Sequence, residues 1–169
     1  MTIYDCFEGC CKIEVVEYKT TSRDKKPKRK SNRKAGMFIY DYNSGKVLLV
    51  QSRGNLWGVP KGTFEPNETS IECAIREVRE ETGLEINQSK LTNLFQIDTN
   101  AFYYYINIKQ VDVTIQSSIE DNDVNGLGWI KIDCLKKLIK KGTIKLNHHS
   151  RLCFKHFLNI ILPYAKINK

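Results

Sequence analysis

Residues 62–84 read GTFEPNETSIECAIREVREETGL and hold the most informative pattern in the chain. The second part of this stretch has the start and stop signals of a helix. Thr69, with Glu72 three residues later, forms a capping box, and Gly83 suits a left-handed C-terminal cap. Between these ends apolar side chains recur at helical spacing: Ile71, Ala74, Ile75 and Val78. The pattern predicts an amphipathic helix over residues 69–82 that buries this stripe.

Three glutamates occupy a different face of the predicted helix. Glu77, Glu80 and Glu81 stand at i, i+3 and i+4, so their carboxylates are crowded and repel one another. A divalent cation removes that repulsion, and hard carboxylate oxygens favour Mg²⁺ or Mn²⁺. The alternative is a solvated acidic face whose charge is balanced by Arg76 and Arg79.

The whole stretch resembles the Nudix box at every fixed position. Gaps of five, seven, one and one residues separate the matching positions, which are Gly62, Glu68, Arg76-Glu77-Val78, Glu80-Glu81 and Gly83-Leu84. Nine specified residues at fixed spacing rarely arise by chance, so the chain is identified as a member of the Nudix hydrolase family. The order of the flanking strands and a later tryptophan strand extend the resemblance over residues 35–161.

The resemblance implies a metal site built by a loop and the helix. The implied ligands of one to three divalent ions are the Gly62 carbonyl, Glu77, Glu80 and Glu81. Arg76 is expected to pair with Glu80 at i and i+4 and to hold that carboxylate in place rather than touch the substrate. Glu68 is expected to fix the loop or to bind an outer metal.

The implied reaction is attack of water on a phosphorus atom of a substrate in which a nucleoside diphosphate is linked to another group. A divalent ion neutralises the phosphate oxygens and lowers the pKa of the water. Two sources of the general base stay open. Glu80 or Glu81 is the first choice within the box, and an acidic run before the tryptophan strand offers Glu120, Asp121 and Asp123. The alternative for that run is an exposed acidic turn.

The loop before the box bears on the substrate. Its Trp57-Gly58-Val59-Pro60-Lys61-Gly62 is similar to the Trp-Gly-Phe-Pro-Lys-Gly stretch of Nudix mRNA-decapping enzymes, and comparable tracts occur in dinucleoside-polyphosphate and diphosphoinositol hydrolases. Lys61 and Arg53 are candidate phosphate contacts, and Trp57 is either a loop anchor or a platform for a base. Decapping enzymes usually place an acidic base in a late helix, but this chain has no Asp or Glu after Asp133.

An aromatic run, Phe102-Tyr103-Tyr104-Tyr105, lies in a predicted strand. Because side chains alternate across a strand, two of its rings face one side. Tyr103 and Tyr105 are expected to face the substrate and stack on a base. The alternative is that the rings pack in the core.

The net charge of +8 comes from one segment. Residues 19–34 hold nine basic side chains and one acid, Asp24, so the rest of the 169-residue chain is neutral. Nine cations would neutralise several RNA phosphates and give salt-sensitive, sequence-independent affinity. Two further roles of the segment stay open. Residues 25–30, Lys-Lys-Pro-Lys-Arg-Lys, resemble a nuclear-localisation run, or the segment is a solvated loop.

Three functions are compatible with these residues. The first is an RNA decapping hydrolase that releases methylated guanosine diphosphate (m7GDP) from capped RNA. The second is a hydrolase of dinucleoside polyphosphates or diphosphoinositol phosphates. The third is a Nudix-fold protein that binds RNA without catalysis. The intact glutamate set argues against the third, because a pure binder does not require a crowded metal face.

Composition and sequence patterns limit the cellular compartment in which the protein is expected. No run of about eighteen apolar residues occurs, so no membrane span is expected, and the N-terminus lacks a signal peptide, so secretion is not expected. The six cysteines are expected to be reduced thiols in the cytoplasm or the nucleus. Cys6, Cys10 and Cys11 could join a zinc site only with a fourth ligand, and none lies near them in the sequence.

Strands and helices intermix along the chain, which predicts an α/β/α sandwich around a mixed β-sheet. Strands are expected at 13–18, 36–40, 46–50, 91–97, 102–108, 111–115 and 127–130, and further helices at 133–141 and 150–161. Residues 52–60, rich in glycine, asparagine and proline, are expected to form a loop. The hydrolase domain is expected to span residues 35–169, after an N-terminal extension, residues 1–34.

Overall fold

A computed structural model describes residues 2–6, 8–16, 32–52, 56–116, 118 and 123–163. Its strands are β1 Thr2–Asp5, β2 Lys12–Val15, β3 Lys34–Asp41, β4 Lys46–Ser52, β5 Leu56–Gly58, β6 Lys61–Thr63, β7 Asn93–Ile97, β8 Ala101–Asn107, β9 Val124–Lys131 and β10 Lys145–Leu146. Its helices are α1 Ser70–Thr82, α2 Ile132–Lys140 and α3 His148–His156, and α3 continues as a π-helical turn, Phe157–Ile161. A single 3₁₀ turn, Gln88–Lys90, follows α1.

The strands form one mixed sheet in the order β1-β2-β9-β4-β3-β8-β7. Strand β8 runs parallel to β3, whereas β4 pairs antiparallel with both β3 and β9. Strands β3 and β4 pair with each other only next to their connecting turn, at Tyr40–Val47 and Asp41–Lys46. Beyond that point β3 pairs with β6, and β4 pairs with β5. The sheet therefore opens between β3 and β4, and the chain that leads into α1 fills the opening.

Each face of the sheet carries its own apolar cluster. Along β3 the side chains alternate, so that Met37 and Ile39 pack in the cluster with α1, while Phe38 and Tyr40 pack in the cluster with α2 and α3. Helix α1 contributes to its cluster a stripe that includes Cys73, Ala74 and Val78. Helices thus cover both faces of a mixed sheet, and the predicted α/β sandwich is confirmed.

Most predicted elements are present, with shifted ends. The hairpin β3–β4, the strands β7, β8 and β9, and all three helices appear where the patterns placed them. Two predictions are wrong. Residues 111–115 form no strand, although Val113 and Ile115 pack against the α1 cluster. Residues 56–58 of the expected loop form β5, because they pair with both β4 and β10.

The first strands extend the sheet of the main domain. Strand β2 pairs with β9, and β1 pairs with β2 at the edge. Residues 2–5 and 12–15 are therefore continuous with the main sheet, and a domain boundary at residue 34 stays a prediction. Among the described residues, we find no helix with the length and apolar composition needed to cross a membrane.

Candidate active site

Helix α1 is capped at both ends as its sequence predicts. The Thr69 hydroxyl oxygen accepts a hydrogen bond from the Glu72 backbone N–H (3.3 Å), and the Glu72 carboxylate accepts one from the Thr69 backbone N–H (2.9 Å). At the other end Gly83 has a φ of 76° and donates its N–H to the Arg79 carbonyl. The two caps fix where α1 begins and ends, and the apolar stripe that packs on the sheet sets which face of the helix carries the glutamates.

The three box glutamates lie next to strand β6. Glu77 and Glu81 are only 8% and 7% exposed, and the Glu80 side chain is about one-third exposed, at 31%. The Glu81 carboxylate accepts a hydrogen bond from the Lys61 backbone N–H (3.0 Å). Burial, and then the nearby Glu77 carboxylate, raise the pKa of Glu81 well above its ordinary value. Negative charge is therefore concentrated where the sequence predicts a cation.

Arg76 connects these acids to one another and to the loop. Its Nη1 donates to Glu77 (2.9 Å) and to Glu80 (3.0 Å), and its Nε donates to Glu68 (2.7 Å). Its Nη2 donates to Glu68 (3.0 Å) and to the Thr63 carbonyl (3.1 Å). The predicted Arg76–Glu80 pair is present, and the guanidinium also binds two acids that sequence spacing did not assign to it. The fork geometry of arginine makes this set of five contacts possible.

Glu68 lies at the point where the loop turns into the helix. Its carboxylate accepts a hydrogen bond from the Glu65 backbone N–H (2.9 Å) and a bidentate pair from Arg76. Burial would raise the pKa of Glu68, but the hydrogen bonds from Arg76 and Glu65 outweigh it and hold that pKa below its usual value. These contacts support the predicted role of Glu68 in fixing the loop.

Gly62 is the residue of β6 that faces α1 most closely. A Cβ atom added at Gly62 would overlap the Glu77 carboxylate. The Cys73 sulfur lies 4.0 Å from the Gly62 carbonyl oxygen, so this oxygen faces the same helix as the glutamates. Only glycine lets the backbone of β6 come this close to a carboxylate.

The donor set fits a hard divalent cation. Glu77 and Glu80 share Nη1 of Arg76, the Glu81 carboxylate accepts from the Lys61 N–H, and the Gly62 backbone lies against the Glu77 carboxylate. Oxygen donors of this kind favour Mg²⁺ or Mn²⁺ over soft metals. Burial first, and then the Glu77 carboxylate, raise the pKa of Glu81, and a bound cation would offset both effects.

The predicted stacking of Tyr103 and Tyr105 on a base is wrong. Both side chains are fully buried in the cluster on the α2 and α3 face of the sheet. The Tyr105 hydroxyl donates to the Cys153 carbonyl (2.9 Å), and the Tyr103 hydroxyl is hydrogen-bonded to Nδ1 of His149 (2.8 Å). The alternative for this run, packing in the core, is the one observed.

Trp57 is a structural anchor. It is 5% exposed in strand β5, and a Cβ added at Gly126 would lie 3.0 Å from its ring. The strand is held further by its pairing with β4 and by the Asn147 backbone N–H, which donates to the Trp57 carbonyl (2.9 Å). Its predicted use as a platform for a base is therefore wrong, because the ring offers no open face.

Lys61 brings positive charge to the glutamates. Its side chain is half-buried, and its charge is among those that act on the pKa of Glu81. Burial, followed by the charges of Lys61 and Lys34, lowers the pKa of His149. His149 lies in the first turn of α3, and its ring is hydrogen-bonded to the Tyr103 hydroxyl. The predicted contact of Lys61 with a phosphate stays a prediction.

Of the remaining predicted site residues, one lies near the glutamates and the others fall outside the described part of the chain. Asp123 is half-exposed, and its carboxylate is one of the charges that raise the pKa of Glu81, so it belongs to the surroundings of the site. Arg53, Glu120 and Asp121 lie outside the described residues, as does most of the basic segment 19–34. Their roles stay predictions.

The comparison with protein families identifies the chain. The NUDIX domain matches residues 30–150, which is well over half of its length. The chain belongs to the Nudix hydrolase family. Nudix hydrolases generally use divalent metal ions, in agreement with the oxygen donors gathered on α1.

Three relatives illustrate the range of the family. Protein 111R of Invertebrate iridescent virus 3, whose name classes it among the hydrolases, is 39% identical over 137 residues, 76% of this chain and 77% of that protein. The bis(5'-nucleosyl)-tetraphosphatase (asymmetrical) of Mus musculus is 31% identical over 124 residues, 67% of this chain and 84% of that protein. The mRNA-decapping enzyme subunit 2 of Saccharomyces cerevisiae is 28% identical over 121 residues, 65% of this chain but only 12% of that protein.

Solved Nudix structures share the fold. The MutT NUDIX hydrolase from Burkholderia pseudomallei superposes with a TM-score of 0.55 at 22% identity, over 75% of this chain and 98% of that one. At this identity the likeness establishes the fold alone.

Proposed function

We propose that this Nudix hydrolase cleaves a phosphoanhydride bond in a substrate that contains a linked nucleoside diphosphate, with Mg²⁺ or Mn²⁺ as cofactor. The observation that carries the proposal is the buried pair Glu77 and Glu81 beside the side-chain-free Gly62. A purely structural acidic face would be solvated, because burying several carboxylates is unfavourable without enough positive charge. One Arg76 nitrogen serves both Glu77 and Glu80, and Glu81 is held by a backbone N–H.

Each residue of the site has a proposed task. Glu77, Glu80, Glu81 and the Gly62 carbonyl would hold the metal, which when bound neutralises phosphate oxygens and lowers the pKa of water. Arg76 keeps Glu77 and Glu80 in position through its two Nη1 contacts. Lys61 offsets charge on the polyphosphate chain. Glu81 is the first candidate for the group that accepts the proton of the attacking water, and Asp123 is the second.

Capped RNA is the substrate that we propose first. The basic segment 19–34 has the charge to bind several backbone phosphates, and the decapping enzyme subunit 2 is a relative over 65% of this chain. Water attack would break one phosphoanhydride bond and release m7GDP and RNA with a 5′ monophosphate. The buried state of Tyr103 and Tyr105 removes one argument for this choice, since neither ring can stack on the cap.

A dinucleoside polyphosphate is the second candidate. The tetraphosphatase relative is matched over 84% of its own length and 67% of this chain, so the match covers most of both sequences. Such a substrate needs the same metal site but no long basic segment. Diphosphoinositol phosphates would also suit the lysine-rich segment and belong in the same panel.

The deciding experiment compares substrates with the full chain and either Mg²⁺ or Mn²⁺. Cap-labelled RNA, diadenosine tetraphosphate and a diphosphoinositol phosphate are offered separately, and Glu81→Gln serves as the variant that lacks one metal charge. Labelled m7GDP as the product supports decapping, and cleavage of small substrates alone supports the second candidate. RNA binding without turnover of any substrate would contradict hydrolysis and favour a non-catalytic binder. Turnover by Glu81→Gln at the parent rate would contradict the proposed role of that carboxylate.

The basic segment has its own test. Removing residues 19–31 deletes seven of the nine cations and should flatten the salt dependence of RNA affinity, because each lost phosphate contact removes about one unit from the logarithmic slope. A matched control, Lys136→Gln with Lys140→Gln, removes exposed charges from α2 and should leave the slope unchanged. An unchanged slope in the deletion would show that the segment does not contact RNA. A cytoplasmic or nuclear location stays a prediction.

A further inference from the structure

Four cysteines from two distant parts of the chain meet at one edge of the sheet. Cys6, Cys10 and Cys11 belong to the connection between β1 and β2, and Cys134 lies in the first turn of α2. All four sulfur atoms lie within 4.8 Å of one another. Cys6, Cys11 and Cys134 are buried, and Cys10 is half-buried. The sequence placed three thiols together, and the fold supplies the fourth ligand that was missing.

Three sulfur–sulfur distances, all measured from Cys10, are slightly shorter than those of a tetrahedral metal site. Cys10 Sγ lies 3.4 Å from that of Cys6, 3.6 Å from that of Cys11 and 3.3 Å from that of Cys134. Zinc with four thiolate ligands at about 2.3 Å would separate its sulfurs by about 3.8 Å. A disulfide brings two sulfurs to about 2.05 Å. The observed distances are therefore close to those of a tetrathiolate site and far from those of a bonded pair.

The backbone around the thiols is shaped to present them. The Cys6 N–H donates to the Cys11 carbonyl (3.1 Å), and the Gly9 N–H donates to the Cys6 carbonyl (2.8 Å). Gly9 has a φ of 65°, which lets the chain reverse between the first and second cysteines. The Lys131 backbone N–H, at the end of β9, donates to the Cys11 sulfur (3.1 Å). An N–H donor of this kind stabilises a thiolate and orients it.

This cluster is separate from the hydrolytic site. Cys6, Cys11 and Cys134 belong to the apolar cluster on the α2 and α3 face, whereas α1 packs on the opposite face. Thiolates are soft ligands, which select zinc rather than the hard ions favoured by the glutamates. We propose that Cys6, Cys10, Cys11 and Cys134 bind one Zn²⁺ as a structural tetrathiolate site. The ion would tie the β1–β2 connection to α2 and so fix the edge strands that precede the basic segment.

Zinc binds all four sulfurs as thiolates and releases the protons of those that are thiols, so affinity should fall in acid. Metal content is the direct test. The reduced full chain is purified without added chelator, and the zinc content per chain is measured by inductively coupled plasma mass spectrometry. One zinc per chain is expected. Replacement by Co²⁺ should give the sulfur-to-cobalt charge-transfer band and the visible bands of a tetrahedral site.

Two variants locate the metal. Cys134→Ser should lose the cobalt bands of a four-sulfur site and most of the zinc. Cys153→Ala is the matched control, because Cys153 is buried on the same face but lies outside the cluster, and it should retain both signals. Since the Cys134 variant could fail to fold, the metal content of the unaltered chain stands as an independent measurement.

Three results would overturn the proposal. One is a reduced, folded parent chain that holds no zinc and gives no tetrahedral cobalt spectrum. Another is a metal-free chain whose mass is lower by two hydrogens for each pair of cluster cysteines, which would show disulfides. The third is a Cys134→Ser chain that keeps the full signal. In the expected case, a chelator should lower the melting temperature of the parent and of Cys153→Ala, but leave that of Cys134→Ser unchanged.

Discussion

Replacing Arg76 by glutamine tests the charge network of the site. The Arg76 side chain is 15% exposed, and the side chains of its partners Glu68 and Glu77 are each 10% exposed. Glutamine cannot supply the five donor contacts of the guanidinium, so two nearly buried carboxylates lose their cation. Removing one partner of a buried ion pair costs about 3–5 kcal/mol. In a domain of this size, each kcal/mol of lost stability lowers the melting temperature by roughly 2–4 °C. The Arg76→Gln chain should therefore melt roughly 10 °C below the parent in the absence of metal.

The assay is urea and thermal unfolding of the metal-free chain, followed by turnover at saturating Mg²⁺. Turnover should fall about 10- to 100-fold, as is usual when a residue that orients metal ligands is lost. Added Mg²⁺ should restore part of the stability, because a cation again neutralises the acids. Arg79→Gln is the control, since Arg79 is exposed on the same helix, and its effect should stay within about 0.5 kcal/mol. If Arg76→Gln is as stable as this control and as active as the parent, the network does not hold the carboxylates.

Two further changes test the loop and the hairpin. Gly62→Ala places a methyl group where the Glu77 carboxylate lies, and the displaced ligand should lower turnover about 100-fold in a steady-state assay; parental turnover would show that Glu77 is not a ligand. Burial would raise the pKa of Asp41, but hydrogen bonds from Gln110, Ser44 and Asn43 outweigh it and lower that pKa. The ionised carboxylate therefore stabilises the fold above the ordinary aspartate pKa, and this stabilisation is lost as pH falls through the lowered value. Asp41→Asn should cost about 1–3 kcal/mol at neutral pH in urea unfolding and flatten the acid dependence, whereas an unaltered acid slope would contradict this account.

Helix α1 and its chemistry follow from local sequence patterns alone. The capping residues, the apolar stripe and the three glutamates are all local features, separated by no more than a few turns of one helix. Local spacing therefore predicted their common face, the Arg76–Glu80 pair and the family. The apolar runs of β3 and β4 on either side of a turn at residues 41–45 predicted the hairpin for the same reason.

Contacts between distant parts of the chain determine whether a segment is buried, and which segments it packs against. The alternation in β8 showed that Tyr103 and Tyr105 share a side, but packing against α3 decided that this side is the core. Strand β5 has too few residues to show a period, and its pairing with β4 and β10 forms it. Cys134 meets the N-terminal cysteines only because β2 pairs with β9 directly before α2. Contacts between residues far apart in the chain depend on the arrangement of whole elements, which no local spacing records.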